Sequence, residues 1–231
     1  MKKPIAALSA VLLPILAYVV VVCLTERVSW DTSIPPGKEH RAALAIRDNV
    51  TPFQKWGSRH FTSPYLEEYY DTAWYFTQSD SDNCKEGFMS CLDMALERYA
   101  AVDLYLLAHG NYFVHWVAKL PPERRARIRL VYNTGCRDLQ QGPLWLSLGA
   151  KAYVGHPGVS ASPVFYFYFL RRWTRGAPLQ DAIDESNGEM RSTLGRVEFF
   201  SFGNVDAARA FEESEAFCHG EKGMRFVASW E

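Results

Sequence analysis

Two short apolar segments, Asp103–Ala108 and Ile128–Tyr132, constrain the fold of this chain more than any other part of its sequence. Each is almost continuously apolar and is bounded by polar residues. A strand that is buried on one face alternates apolar and polar residues, whereas a strand inside a parallel sheet is buried on both faces and does not alternate. The two segments therefore predict strands in the interior of a parallel sheet.

The rest of the chain alternates between strand-like and helix-like patterns. In Gly87–Ala101, for example, apolar residues recur at the spacing of one helical face. Alternation of this kind predicts an α/β fold with a mostly parallel sheet and helices on both faces. The further predicted strands are Asp71–Thr77, Ala152–Val154 and Val197–Phe202, and the further predicted helices are Glu39–Arg47, Gly142–Leu148, Val164–Trp173 and Leu179–Arg191.

Composition divides the chain into three parts. Residues 1–28 are an apolar N-terminal segment, residues 29–64 are rich in Pro, Gly and charge and predict a linker, and residues 65–231 hold the α/β domain. The chain carries 25 basic and 26 acidic residues, so it offers no basic field and nucleic acid is not an expected partner. The 48% share of hydrophobic residues excludes general disorder.

The N-terminal segment predicts a membrane anchor. Ile5–Leu24 is apolar apart from Ser9 and Pro14, and it follows two lysines. A helix of this length spans about 30 Å, which is the hydrocarbon thickness of a bilayer. The segment lacks an A-x-A cleavage pattern, which favours a retained single-pass anchor over a cleaved signal peptide and secretion, the alternative. The lysines place the N-terminus in the cytoplasm and the domain in the periplasm or outside the cell.

A histidine and a cysteine follow the two apolar segments, in His109-Gly110-Asn111 and in Asn133-Thr134-Gly135-Cys136. Parallel sheets bind ligands beyond the carboxyl ends of their strands, so both side chains can reach one crevice if the strands are neighbours. An imidazole lowers the pKa of a nearby thiol and accepts its proton, and the backbone N–H groups of Gly110 and Cys136 can form an oxyanion hole. The alternative is that Cys136 is a small buried hydrophobe and His109 is structural.

The same segments resemble a known family. Leu104–Gly110, followed by Ile128–Arg137, is similar to the caspase-like (clan CD) cysteine peptidases, which pair an apolar block ending in His-Gly with a block ending in the catalytic Cys. Gly149–Gly155 and Gly176–Ala182 look like the strand, turn and helix that follow the nucleophile in the CHAT type, and Phe200–Asn204 looks like its final strand. The residue before the nucleophile is Gly135, where the family more usually has Ala.

The resemblance implies a caspase-like fold and a cysteine endopeptidase that hydrolyses a peptide or protein substrate without a cofactor. Together with the N-terminal segment, it predicts a membrane-anchored enzyme. It makes Cys136 the nucleophile and His109 the general base. Two alternatives stay open. One is a catalytically inactive caspase-like interaction or scaffold module, and the other is an unrelated α/β hydrolase-like or ligand-binding domain in which the His-Cys pair is accidental.

Four residues near the predicted dyad are candidate substrate-pocket residues, namely Asn111, Arg137, Asp138 and His156. Asp138 could attract a basic substrate side chain and Arg137 an acidic one, unless the two pair with each other or with solvent. No tight ligand spacing links the histidines and Cys136, so no metal site is predicted.

Cys84 and Cys91 are a candidate disulfide. They are seven residues apart, and an exported domain meets oxidising conditions. In the other interpretation Cys91 is a core residue of the predicted helix.

Overall fold

The computed structural model of the chain describes residues 40–78, 83–108, 112–202 and 204–226. Within these residues, six strands form one sheet in the order β2-β1-β3-β4-β5-β6. The pairs from β2 to β5 are parallel, and β6 is antiparallel to β5. The strands are β1 Arg41–Arg47, β2 Thr72–Thr77, β3 Ala101–Leu107, β4 Ile128–Asn133, β5 Ala152–Gly155 and β6 Phe217–Gly220.

Helices cover both faces of this sheet, as the sequence predicts. They are α1 Pro52–Tyr69, α2 Lys85–Arg98, α3 Tyr112–Val117, α4 Pro122–Arg125, α5 Gly142–Ser147, α6 Val164–Trp173, α7 Leu179–Phe200 and α8 Ala207–Ser214. Successive strand residues point to opposite faces, so Tyr105 and Tyr132 join one apolar core with α1, α6 and α7, while Leu104 and Val131 join a second core with α2, α3 and α5. The mostly parallel α/β fold is therefore confirmed.

Two predicted elements are wrong. Arg41–Arg47 is strand β1 and not part of a helix, because it pairs with β2 and β3 and is buried on both faces. Val197–Phe202 is not a strand, because α7 continues to Phe200 and the exposed phenylalanines there have no sheet to cover. The last strand is instead the short β6.

The domain also begins earlier than the sequence predicts. Residues 41–64, which composition assigns to a linker, contain β1, a strand between two others in the sheet, and most of α1. Within that range, Pro52 opens α1 after the capping box of Thr51 and Gln54, a position at which proline favours the start of a helix. A high content of proline and glycine alone does not distinguish a linker from a segment that contains a strand and the start of a helix.

A buried ion pair joins the two strands that precede the candidate site. The Arg129 guanidinium on β4 donates its Nε hydrogen bond to Asp103 Oδ1 on β3 at 2.8 Å, and a second nitrogen pairs with Asp103 Oδ2. Tyr70 also donates to this carboxylate, and Arg129 donates to the Phe226 carbonyl at 2.8 Å. The pair therefore ties β3, β4, the end of α1 and the C-terminal segment together.

No helix in the described ranges is long and apolar enough to cross a membrane. The predicted anchor in residues 1–28 lies outside those ranges.

Candidate functional site

The Cys136 loop, residues 134–138, follows β4 at the carboxyl edge of the parallel strands. Backbone bonds hold it at both ends, since the Thr134 amide donates to the Leu106 carbonyl at 2.8 Å and the Arg137 amide donates to the Gly158 carbonyl at 2.8 Å. Arg137 has a φ of 56°, a left-handed conformation that turns the chain sharply after Cys136. The loop is thus fixed to β3 on one side and to the segment after β5 on the other.

The carboxyl end of β3 touches this loop. A Cβ atom built on Gly135 would lie 3.1 Å from the Ala108 carbonyl carbon and well inside the van der Waals contact distance to its oxygen. Ala108 precedes His109, and Gly135 precedes Cys136. The residues that lead to the predicted base and to the predicted nucleophile are therefore in backbone contact, while His109, Gly110 and Asn111 themselves lie outside the described residues.

Most amides of the loop donate a hydrogen bond to another residue. The Gly135 amide donates to Asn133 Oδ1 at 3.0 Å, and the Arg137 amide is paired as described above. Within the described part of the chain, the Cys136 amide between them has no acceptor. The Cys136 side chain is partly exposed, so both its thiol and its N–H group can meet a ligand.

Asp138, the last residue of the loop, is buried. Its carboxylate is 1% exposed and accepts a hydrogen bond from the His156 amide at 2.8 Å, while its Oδ2 has no partner among the described residues. Burial raises the pKa of the Asp138 carboxyl to about 8. The Asp138 amide in turn donates to the His156 carbonyl at 3.0 Å, so the two residues join the Cys136 loop to the end of β5.

His156 is fully buried next to Asp138. Its Nδ1 makes a 2.6 Å hydrogen bond with the Ser214 carbonyl, and its ring stacks on Tyr132. Burial lowers the pKa of His156 to about 4, so the ring is neutral near pH 7. This burial corrects the expectation that Asp138 and His156 face a substrate in the crevice. Arg137, by contrast, is exposed beside Cys136.

The predicted disulfide is not formed. Cys91 is a free thiol, and the Cys84 sulfur hydrogen-bonds instead to Gln78 Oε1 at 3.3 Å. Cys84 precedes α2 and Cys91 lies within it, so the rise along the helix separates them by about 10 Å, beyond the Cα distance that a disulfide allows. Burial raises the pKa of Cys91, and it raises that of Cys218 to about 11.

No group of three or more His, Cys, Asp and Glu side chains within the described ranges could hold a metal ion. Of the histidines considered as potential ligands, His115 lies in the short helix α3 and His156 is fully buried.

Sequence analysis missed two residues that hold the loop, Asn133 and Gly158. Asn133 has a local signal, because an Asn directly before a turn often accepts a backbone N–H two residues on. Gly158 has none. Its carbonyl meets Arg137, and its amide donates to the Glu213 carbonyl at 2.8 Å, both far away in sequence.

No protein-family model matches the chain, and no curated protein sequence matches it. Among solved structures, the chain is similar to the crystal structure of drICE, a caspase, with a TM-score of 0.44 and 11% sequence identity. The similarity covers 82% of this chain and 92% of that chain. Similarity at this level of identity does not identify reacting residues.

We expect Gly135→Ala to disrupt the site. The added Cβ would push against the Ala108 carbonyl, a backbone group that cannot rotate away, and should lower the free energy of unfolding by about 1–3 kcal/mol. Denaturant unfolding measures this change. The matched control is Gly195→Ala inside α7, where a Cβ would meet nothing within 4 Å, and this variant should gain about 0.5–1 kcal/mol. Equal effects of the two substitutions would contradict the close approach.

Asp138 and His156 make stability depend on pH. Below its folded pKa of about 8, the folded Asp138 keeps a proton that the unfolded chain loses near pH 4, so the free energy of unfolding falls as pH rises through this window. His156 acts oppositely between about pH 4 and 6.5, because only the unfolded imidazole is protonated there. From about pH 6.5 to 8 the Asp138 effect remains, and it should lower stability by up to about 2 kcal/mol.

Denaturant unfolding at the two ends of that pH window tests this expectation. Asp138→Asn retains the size of the side chain and removes its titration, so the loss of stability should largely disappear. The exposed Asp71→Asn serves as the control and should retain the wild-type dependence. A loss of the same size in Asp138→Asn would exclude Asp138 as its source.

Proposed function

We propose that this chain is a cysteine peptidase of the caspase-like type, with Cys136 as the nucleophile and His109 as the general base. The observation that carries the proposal is the backbone contact between Ala108 and Gly135. It places Ala108, the residue before the predicted base, against Gly135, the residue before the predicted nucleophile. The six-stranded, mostly parallel sheet with helices on both faces also fits the caspase-like fold that the motifs imply.

The CHAT type is the subgroup that we favour. Its strand after the nucleophile corresponds to β5, which lies next to β4, and its later turn and helix correspond to Gly176 and the start of α7. The stretch Phe200–Asn204 does not support the subgroup, because it ends a helix and is not a strand. The subgroup therefore rests on two of its three later motifs.

In the proposed reaction, His109 takes the Cys136 proton as the sulfur attacks the scissile carbonyl carbon and forms a carbon–sulfur bond. The negative charge that develops on the carbonyl oxygen is met by the unused Cys136 amide and by the Gly110 amide. His109 then protonates the leaving amine as the peptide carbon–nitrogen bond breaks. A water molecule, deprotonated by His109, hydrolyses the thioester and releases the thiol.

Labelling with a small thiol-directed reagent near pH 7 tests these roles. We expect labelling at Cys136 and its loss in Cys136→Ala. Cys218→Ala should leave labelling unchanged, since a thiol with a pKa of about 11 is protonated at this pH. His109→Ala should slow labelling about 10- to 30-fold, because an ordinary thiol is only a few per cent ionised near pH 7.

The matched control for the base is His60→Ala, which removes an exposed histidine from α1. Labelling of the protein at an undiminished rate in Cys136→Ala would exclude Cys136 as the nucleophile. Rapid labelling of Cys136 without any cleavage of peptides would favour the second function, a catalytically inactive caspase-like interaction module. The exposed phenylalanines at the end of α7 are the observation that suits such a module.

We also propose that residues 5–24 anchor the protein as a single membrane span, with the domain in the periplasm or outside the cell. The support is the apolar run behind two lysines, because positive charge stays on the cytoplasmic side. We expect the protein to stay in the membrane fraction after alkaline washing and to keep its first residues. A mature N-terminus beyond residue 20, found by N-terminal sequencing, would instead show cleavage and secretion.

A further inference from the structure

Helix α7 extends beyond the edge of the sheet on which Cys136 lies. The Asn187 side chain makes two 2.9 Å hydrogen bonds with the backbone of Ala216. Ala216 directly precedes Phe217, which pairs with Gly155 at the carboxyl end of β5. Asn187 is thus level with the carboxyl edge, and the rest of the helix, to Phe200, is about 20 Å long. It still packs on the domain at Met190 and Thr193, so only its last turns stand free of the core.

Helix α8 returns from the end of α7 to the sheet and contacts the site. The carbonyl of Glu213 accepts from the Gly158 amide, and the carbonyl of Ser214 bonds to His156 Nδ1. Gly158 in turn accepts from the amide of Arg137, the residue after Cys136. The C-terminal end of α8 is therefore connected to the Cys136 loop by two backbone hydrogen bonds, both made by Gly158.

Side chains between the two helices hold the pair together. Glu198 Oε1 accepts from the Ala207 amide at 3.3 Å, and the Arg191 guanidinium lies 4.2 Å from the centre of the buried Phe211 ring. Asp206 caps α8 by accepting from the Arg209 amide at 3.0 Å. These contacts make the pair a fixed wall beside the crevice.

The far end of the wall carries three exposed aromatic side chains, which we call the phenylalanine tip. Phe199 is 76% exposed, Phe200 is 59% exposed and Phe202 is 91% exposed. Phe202 also has a φ of 55°, a conformation that bulky residues seldom adopt. Aromatic residues grouped at the surface of a soluble domain mark an interaction site.

We propose that the phenylalanine tip binds apolar side chains of the polypeptide whose scissile bond lies at Cys136. This inference rests on the proposed peptidase function and defines its substrate class as extended polypeptides with an apolar group remote from the cleaved bond. An extended chain advances about 3.3 Å per residue, so about six residues cover the roughly 20 Å of α7 that lie between Asn187 and the tip. The wall, the tip and Cys136 all lie at this one edge.

The position of the tip favours a substrate over a lipid surface. Strand β1 starts at Arg41, so the chain that leads back to the predicted anchor leaves the sheet at its amino edge. The tip lies toward the opposite edge, at the far end of the helix pair that is hydrogen-bonded to the Cys136 loop. Because the helix pair that carries the tip is hydrogen-bonded to the Cys136 loop, we take the substrate polypeptide as the ligand of the tip.

The test uses the full chain in lipid nanodiscs and a proteome-derived mixture of peptides, with cleavage sites identified by mass spectrometry. Wild-type cleavage sites should be enriched in apolar residues about six positions from the cleaved bond. The triple variant Phe199→Ser, Phe200→Ser, Phe202→Ser should lose this enrichment. For a peptide that carries the apolar group, its KM should rise about tenfold with kcat unchanged.

The matched control is Met94→Ser, which removes a half-exposed apolar side chain from α2 on the other face of the sheet. It should behave as the wild type, and small-reagent labelling of Cys136 should be the same in all three proteins. The thermal unfolding midpoint of the triple variant should not fall, because the removed side chains are exposed.

The outcomes separate this inference from the proposed function. Absence of cleavage in every protein overturns the peptidase itself. Cleavage without a remote apolar preference, or with a preference that survives in the triple variant, overturns only the role of the tip. The role of the tip is also overturned if the triple variant loses contact with lipid or with a second copy of the chain while its cleavage pattern stays unchanged.

Discussion

The close approach of the Ala108 carbonyl to Gly135 is the constraint on which the candidate site depends. Neighbouring parallel strands end at the same edge of a sheet about 4.8 Å apart. Here the chain beyond the strand ends comes closer still, so that a Cβ atom at position 135 would collide with the Ala108 carbonyl. Glycine at 135 removes the side chain at the one point where the backbones meet. Gly135, where the family that the sequence resembles more usually has Ala, therefore matches the packing of this particular chain.

The ion pair between Arg129 and Asp103 supports the same contact from the opposite end of β3 and β4. Arg129 and Asp103 are placed near the starts of β4 and β3, and their forked hydrogen bonds fix one strand against the other. From there the register runs to Leu106 opposite Asn133, after which the chains reach Ala108 and Gly135. A shift of this register would separate the two strand ends, so stability and the candidate site depend on the same alignment.

The candidate site was only partly predictable from sequence. Its position after β3 and β4 follows from short apolar runs that end in polar residues, and this local pattern is independent of the rest of the chain. The burial of Asp138 and His156 was not predictable, because it depends on the return of α8 and on the Ser214 carbonyl. The same holds for Gly158, whose two partners are distant in sequence.

The errors in the fold have a common physical origin. Arg41–Arg47 and Val197–Phe202 both contain apolar residues at spacings that suit a helix or a strand. The secondary structure of each segment is therefore decided by the elements that pack against it. β2 and β3 make the first segment a strand, while the absence of a sheet partner leaves the second as the end of α7. By itself the sequence determined the alternating elements, the doubly covered sheet and the placing of a histidine and a cysteine after successive strands, because these depend on local hydrophobicity. Only the tertiary structure decided which strands pair, which polar groups lose contact with water, and that the phenylalanine tip is exposed, because these depend on contacts between residues far apart in the chain.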